Sequence, residues 1–350
     1  MSVFQHIEFD GHEHIAFCHD QKTGLKAIIA IHNTNLGASL GGCRMWPYAS
    51  DDEALYDVLR LSKGMTYKAA MAGLNQGGGK AVIIGDPRKV KTVALMGAMG
   101  RFVDSLGGKY ITAEDSGISV ADLQVMAEHS THIAGTEAKY HVFGEHADGN
   151  PAPSTSYGVF VGLRSSVEFA LKRDLVGVKV AIQGLGHVGL RLAEQLHKAG
   201  AILFVTDIFP ENIEKAVSQF GAIAVQPDEI YDLDVDVFAP CAMGAILNPE
   251  TINRLKAKVV AGAANNQLAT EDCGLLLKQK GILYAPDYVI NAGGIIDIYH
   301  QKIPSSHEAL RAHIERISDT LVEIYQRAEE LAQSTNVVAN QIAEERFGKA

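Results

Sequence analysis

The sequence predicts an α/β protein of two domains: an N-terminal α/β domain and a Rossmann-type doubly wound domain, with a cleft between them. Three observations carry this expectation. At 350 residues the chain exceeds what one hydrophobic core usually serves. Residues 178–207 read as a strand, a Gly-rich turn, a helix and a second strand that ends in an acid. Short apolar β-type runs and helical patterns alternate on either side of that unit.

Taken in order, the N-terminal part has strand-like runs at 26–32 (KAIIAIH) and 80–85 (KAVIIG). Its helical patterns fall at 52–65 and 91–106. Residues 144–154 (GEHADGNPAPS), rich in Gly, Pro and polar residues, read as a hinge. After Asp207, β-type runs recur at 235–238, 259–261 and 281–284, and the stretch 306–345 is helical and charged. The division expected is 1–145, 146–325 and a C-terminal helical segment, 326–350, that packs back toward the first domain.

The Gly-rich turn is Gly184-Leu185-Gly186-His187-Val188-Gly189. Gly184 permits the tight turn. Gly186 lets the backbone approach a pyrophosphate at the helix N-terminus, where free N–H groups and the helix dipole favour anions. Gly189 lets helix and strand pack closely. Asp207 ends the second strand, where a carboxylate accepts hydrogen bonds from adenosine ribose hydroxyls and repels a 2′-phosphate. Ile208 and Phe209 follow, with no Arg or Lys to hold that phosphate, so the reading is NAD rather than NADP.

Composition narrows the function classes. A net charge of −10 and 47% hydrophobic residues fit an acidic enzyme with ample core and argue against nucleic-acid or anionic-membrane partners. The N-terminus has neither a basic segment nor a long apolar run, and no apolar stretch approaches a membrane span, so a cytoplasmic protein is expected. Cys18, Cys43, Cys241 and Cys273 lack metal or disulfide spacing, and the 14 histidines are dispersed, so no metal site is expected.

A second cluster precedes the hinge: Gly64-Met65-Thr66-Tyr67-Lys68, then Gly77-Gly78-Gly79-Lys80, then Ala113-Glu114-Asp115. Alone, Lys68 reads as a surface lysine. Lys80 follows three glycines, read as a tight turn, and opens an apolar run, so its place is fixed at a strand start where a substrate can approach the backbone. The phosphate-loop spacing is absent. A desolvated lysine near a second cation has a lowered pKa and serves as an acid/base near neutral pH. Two lysines and an aspartate also suit a substrate carrying a carboxylate and an amine.

These motifs occur in the order seen in the glutamate/leucine/phenylalanine/valine dehydrogenases, and the chain resembles that family over nearly its whole length. The resemblance includes Gly41-Gly42-Cys43-Arg44-Met45, Asn150-Pro151, Ala239-Pro240-Cys241-Ala242, the run AGAANNQ at 261–267 and the run PDYVINAGG at 286–294. It is nearest to the leucine-using members. It implies oxidative deamination of an L-amino acid to the 2-oxo acid and ammonia, with a nicotinamide cofactor and a homo-oligomer, dimer or octamer. Lys68 is then expected to bind the substrate α-carboxylate, Lys80 to be the general acid/base, and Asp115 to exchange the proton on the substrate nitrogen. Asn265 and Asn291 are expected to orient the nicotinamide ribose and substrate, and Thr155 to hydrogen-bond the carboxamide. Asn and Thr also perform turn and cap chemistry, which is the competing reading of these three. Cys241, Ala242 and Ala261 fall on the nucleotide side. By the same resemblance the first domain binds substrate, carries catalysis and oligomerises, and the second binds NAD.

The resemblance places Leu40, Gly41, Gly42, Met65, Ala113 and Val289 at the substrate. They are uncharged, so a glutamate side-chain carboxylate would be costly to bury there. Small Ala113 and branched Val289 favour leucine, with valine and isoleucine also used. Leu40, Met65 and Val289 are also readable as plain core. A phenylalanine, tryptophan or valine dehydrogenase is the alternative, and a non-catalytic NAD-binding regulator is the distant one. Two positions depart from the commoner pattern. Cys43 replaces Thr beside the pocket, where a shifted preference or oxidation sensitivity is expected, and His187 replaces Asn in the Gly-rich turn, adding pH dependence to binding.

Overall fold

The computed structural model describes residues 3–136, 139–144 and 150–349, and every statement of structure concerns these. The first domain runs β1 (His14–Asp20), β2 (Leu25–Asn33), β3 (Ser39–Trp46), α1 (Asp51–Met71), β4 (Gly77–Ile84), α2 (Val93–Asp104), β5 (Tyr110–Ala113) and α3 (Val120–Ala127). Its sheet has the order β1-β2-β4-β3-β5. β2 is antiparallel to β1 and β4, whereas β3 is parallel to β4 and β5.

Period-two alternation sorts the strands into two faces. Ile28, Ala30 and Val82 pack under Ala54, Leu55, Val58 and Leu59 of α1. Ala27, Ile29, Cys43, Met45, Ala81 and Ile83 face Leu95, Met99 and Val103 of α2 and Leu123 and Met126 of α3. The side chain of Ser50 caps α1 by accepting the Glu53 N–H, and Asp51, Asp52 and Glu53 complement the helix dipole.

Helix α4 (Ala152–Leu171) leads into the second domain. There β6 (Lys179–Gln183), α5 (Gly189–Lys198), β7 (Ile202–Thr206), α6 (Pro210–Phe220) and β8 (Ile223–Ala224) form one half. The other half is β9 (Val237–Pro240), α7 (Pro249–Arg254), β10 (Val259–Val260), α8 (Asp272–Gln279) and β11 (Leu283–Tyr284). The sheet is parallel throughout, in the order β11-β10-β9-β6-β7-β8. The strand order reverses between β6 and β9, and ligands of such sheets bind at the carboxyl ends of the strands there.

The chain closes with α9 (Asp287–Ile290), α10 (Gly293–Lys302), α11 (His307–Glu315), α12 (Ile317–Glu330) and α13 (Thr335–Phe347). α10 and α12 pack on α4, and α13 lies against both α12 and α1. Polar contacts reinforce that return. Arg346 donates to Met71 O at 3.1 Å and to Glu323 at 2.6 Å, Tyr67 Oη donates to Glu344 at 2.6 Å, and His313 Nε2 donates to Ala72 O at 2.8 Å.

Several expectations are corrected. The helix expected over 52–65 continues to Met71, so Lys68 stands in its last turn. The three glycines before Lys80 are strand residues of β4, not a turn. Close approach explains them: a Cβ on Gly78 would lie 2.0 Å from Thr66 N of α1. Of the expected hinge, residues 145–149 lie outside the described residues, and from Ala152 the chain is already helical, with Pro153 in the first turn where its missing N–H costs nothing. The helical stretch 306–345 is three helices, and the boundary expected at 325/326 falls inside α12.

Candidate active site and dinucleotide site

Register lines up the first set of side chains. Cys43 pairs with Ala81 and Gly42 with Ala113, so Lys80, Gly42 and Ala113 sit abreast on three neighbouring strands. Asp115 follows directly after β5. A Cβ at Gly42 would lie 2.8 Å from Asp115 Cβ, so the missing side chain makes the space in which aspartate and lysine meet. Lys80, 6% exposed, donates from Nζ to Asp115 Oδ2. The other oxygen, Oδ1, accepts the Ser116 N–H at 2.6 Å and faces Arg44 Nη2 at 3.6 Å. Burial opposes ionisation of Asp115, but Lys80 and Arg44 outweigh it and hold the carboxyl well below the usual range.

Lys68 projects from the last turn of α1 toward the same cluster. Its ammonium makes no hydrogen bond or ion pair among the described residues. Burial pushes its pKa down to about 8, with Asp287 opposing and Lys80 reinforcing that shift. A buried, unsatisfied cation is what a ligand carboxylate would neutralise. The structure therefore brings Lys68, Lys80 and Asp115 into one electrostatic cluster.

Leu40, Ala113 and Val289 are buried in one apolar cluster, with Met65 packed against it. Gly41 has no room for a side chain, since a Cβ would lie 1.7 Å from Gly79 O. Cys43 is corrected: it is fully buried on the α2/α3 face, opposite Lys80, and burial pushes its thiol far above its ordinary value. Its thiol lies on the other face of the sheet from Lys80 but within electrostatic reach of Asp115, and a protonated, inaccessible thiol resists oxidation.

The second site is the turn after β6. Gly184 has φ +97°, and its Cβ would meet Ala242 at 2.6 Å. Gly189 passes so close to the turn that a Cβ would lie 2.0 Å from Gly184 O. Above Gly186 the space is open. α5 starts without a side-chain cap; its Leu190 N–H donates to Gly186 O at 3.0 Å, and an uncapped helix start favours an anion. Leu185 is buried, while His187 is exposed and Val188 half-buried. The Asp207 carboxylate accepts the N–H of Leu185 at 2.5 Å and of Phe209 at 2.8 Å. Cys241 is anchored by its N–H to Gln183 O at 2.8 Å, and Ala261 by its N–H to Phe238 O at 3.1 Å.

Between the two sites, Asn291 Nδ2 donates to Asn265 Oδ1 at 2.8 Å and to Ala263 O at 3.1 Å. Asn291 Oδ1 is buried without a partner. Thr155 lies in the first turn of α4, and its hydroxyl donates back to Pro151 O at 3.0 Å. Asp287, to which sequence reasoning assigned no role, begins α9 and accepts the N–H groups of Gln267 (2.9 Å) and Tyr288 (2.6 Å). It thereby fixes the loop that carries Asn265. Arg44 was likewise quoted within a motif but given no role.

A nucleotide-binding sheet joined to a domain with a buried lysine–aspartate pair defines a two-domain oxidoreductase. Residues 12–132 match the Glu/Leu/Phe/Val dehydrogenase dimerisation domain, and residues 210–350 match Glutamate/Leucine/Phenylalanine/Valine dehydrogenase; the chain belongs to this family and is an amino-acid dehydrogenase. It is 50% identical over 348 residues to leucine dehydrogenase of Thermoactinomyces intermedius, covering 99% of this chain and 94% of that protein. It is 48% identical over 355 residues to phenylalanine dehydrogenase of Caldalkalibacillus thermarum (strain TA2.A1), covering 100% and 95%. The crystal structure of L-tryptophan dehydrogenase from Nostoc punctiforme superposes with a TM-score of 0.86 at 46% identity, covering 97% of this chain and 96% of that one. Among the described residues no helix is long and apolar enough to cross a membrane.

Proposed function

We propose that the enzyme carries out NAD-dependent, reversible oxidative deamination of a branched-chain L-amino acid, leucine foremost with valine and isoleucine, to the 2-oxo acid and ammonia. The observation that carries this reading is the buried, unpaired Lys68 ammonium in one electrostatic cluster with the Lys80–Asp115 pair; the resemblance adds the uncharged, buried Leu40, Ala113 and Val289 as the side-chain pocket. Lys68 neutralises the substrate α-carboxylate. Asp115 exchanges the proton on the substrate nitrogen. Lys80 deprotonates the water that attacks the imino acid, and in reverse polarises the oxo acid carbonyl. The three titrate as one coupled system.

The open space above Gly186, the uncapped start of α5 and the orphaned Asn291 Oδ1 fit a dinucleotide. The Gly184–Gly189 turn would hold its pyrophosphate, Asp207 its adenosine ribose, and Asn265, Asn291 and Thr155 its nicotinamide end. When bound, the nicotinamide supplies the hydride acceptor. Asp207, without a neighbouring cation, favours NAD over NADP. The first domain then serves substrate and assembly, and the second serves NAD. A homo-oligomer, dimer or octamer, in the cytoplasm completes the reading; four free cysteines accord with a reducing compartment.

The phenylalanine and tryptophan relatives, at 48% and 46% identity, support an aromatic substrate as the second reading. The test is NADH formation from NAD with L-leucine, L-valine, L-isoleucine, L-phenylalanine, L-tryptophan and L-glutamate. Turnover of the branched-chain acids well above the rest is expected. An aromatic preference would retain the mechanism and replace the substrate, and silence across the panel would leave a binding protein.

A further inference from the structure

Arg44 is the third charged group of the lysine–aspartate cluster and has no part in the chemistry described so far. It lies on β3 two residues beyond Gly42, on the face opposite Cys43 and Met45. Its Nη1 donates to Asp57 Oδ2 of α1 at 2.9 Å, and Nη2 lies 3.6 Å from Asp115 Oδ1. Asp57 is itself fixed, accepting Tyr48 Oη at 2.7 Å and Arg60 Nη2 at 3.1 Å. The planar guanidinium is thus anchored at one edge and directed at Asp115 with the other, a geometry that an ammonium cannot reproduce.

We propose that Arg44, braced by Asp57 and Tyr48, is a positioning residue for the deamination reaction: it engages the Oδ1 edge of Asp115 and leaves Oδ2 facing Lys80. The proposal rests on the roles assigned above to Lys80 and Asp115. Without Arg44 only the Ser116 N–H, at 2.6 Å, would hold Oδ1, and the carboxylate would be held less firmly in the orientation that presents Oδ2 to Lys80. Asp115 also faces Lys68 from α1, its neighbour Glu114, and on the strand side the neutral Cys43 thiol and Tyr110 phenol; Tyr48 stands beyond Arg44. Among these groups Arg44 and the two lysines are the cations. Losing one cation raises the apparent pKa values of the coupled cluster.

The test uses the full-length enzyme with Arg44→Gln, Arg44→Lys, Asp57→Asn and Lys80→Ala, each checked by its unfolding midpoint. In Arg44→Gln, kcat/KM for the amino acid is expected to fall roughly tenfold to a hundredfold, the scale of a slightly misplaced reacting group. The KM for NAD should not change. The acid limb of the kcat/KM profile should move up by about one pH unit, as the loss of a nearby cation requires. Arg44→Lys should return that limb to its original place while keeping part of the rate loss. Asp57→Asn, which removes an anion and keeps Arg44, should move the limb the other way, so the inference is testable even where Arg44→Gln does not fold. A tie that only joins β3 to α1 would lower the midpoint in Arg44→Gln and Asp57→Asn and leave the limb in place, and that result overturns the proposal. Full activity in Lys80→Ala would instead overturn the reading on which it rests.

Discussion

Asp207 and Leu185 are joined by a 2.5 Å hydrogen bond from the Leu185 N–H to the Asp207 carboxylate, so the acid that directly follows β7 also builds the Gly-rich turn after β6. Its second oxygen holds the Phe209 N–H at 2.8 Å. A carboxylate has acceptor capacity beyond these two bonds. Asp207→Ala is expected to raise the KM for NAD by about tenfold, since two or so hydrogen bonds and the turn are lost together. It should also narrow the preference over NADP, because the repelling charge is gone. Steady-state kinetics with both cofactors decides; an unchanged NAD/NADP ratio would separate the turn-building role from selectivity.

In the role proposed for it, Lys68 would make substrate binding proton-linked. Its pKa lies at about 8 in the folded protein against an ordinary value of 10.5. Between those values the unfolded chain keeps a proton that the folded enzyme has released, so this group adds stability as pH rises across the window. A bound carboxylate favours the ammonium and reverses the shift. Binding of leucine's 2-oxo acid at about pH 9 is expected to take up close to one proton. Calorimetry in buffers of different ionisation enthalpy measures it, and Lys68→Met should abolish both uptake and tight binding.

Gly78→Ala places a methyl group 2.0 Å from Thr66 N, on the helix that carries Lys68. Backbone cannot yield as a flexible side chain does, so a loss of about 3 kcal/mol or more is expected. Denaturant unfolding reads it. A loss no greater than that of an exposed substitution would show that α1 and β4 separate freely.

Buried histidines predict acid sensitivity. Burial, with the neighbouring His12, lowers His32 to about 4, and burial, with His313, lowers His300 to about 4. The unfolded chain binds these protons near the ordinary value of 6.5, so stability falls as pH drops from there toward 4. The loss is about 1–2 kcal/mol per histidine by pH 5. His300 Nε2 donates to His313 Nδ1 at 3.0 Å, which fixes both rings as neutral tautomers because His313 Nε2 must donate to Ala72 O. Urea titrations at several pH values should show His300→Gln flattening the slope.

Much of this arrangement was legible before any coordinates. Gly184, Gly186, Gly189 and Asp207 occupy the places that a βαβ unit demands, because that geometry is local and its glycines have few substitutes. Lys80 and Asp115 were readable as chemistry but not as neighbours, since their contact depends on the register that sets Gly42 between their strands. The strands β1, β3, β5 and the two-residue β8 were missed; β3 holds two glycines and an arginine, which blur the alternation. Cys43 was misplaced because alternation on an unrecognised strand decides which face a side chain takes. Arg44 and Asp57 lie on different elements, and nothing along the chain announces their pairing.

The carbonyl end of α1 has two separate holders from the C-terminal helices, Arg346 at Met71 O and His313 at Ala72 O. Both grips lie within one helical turn of Lys68. They peg the end of the helix that carries Lys68: any displacement that keeps both bonds leaves the root of that side chain where it is.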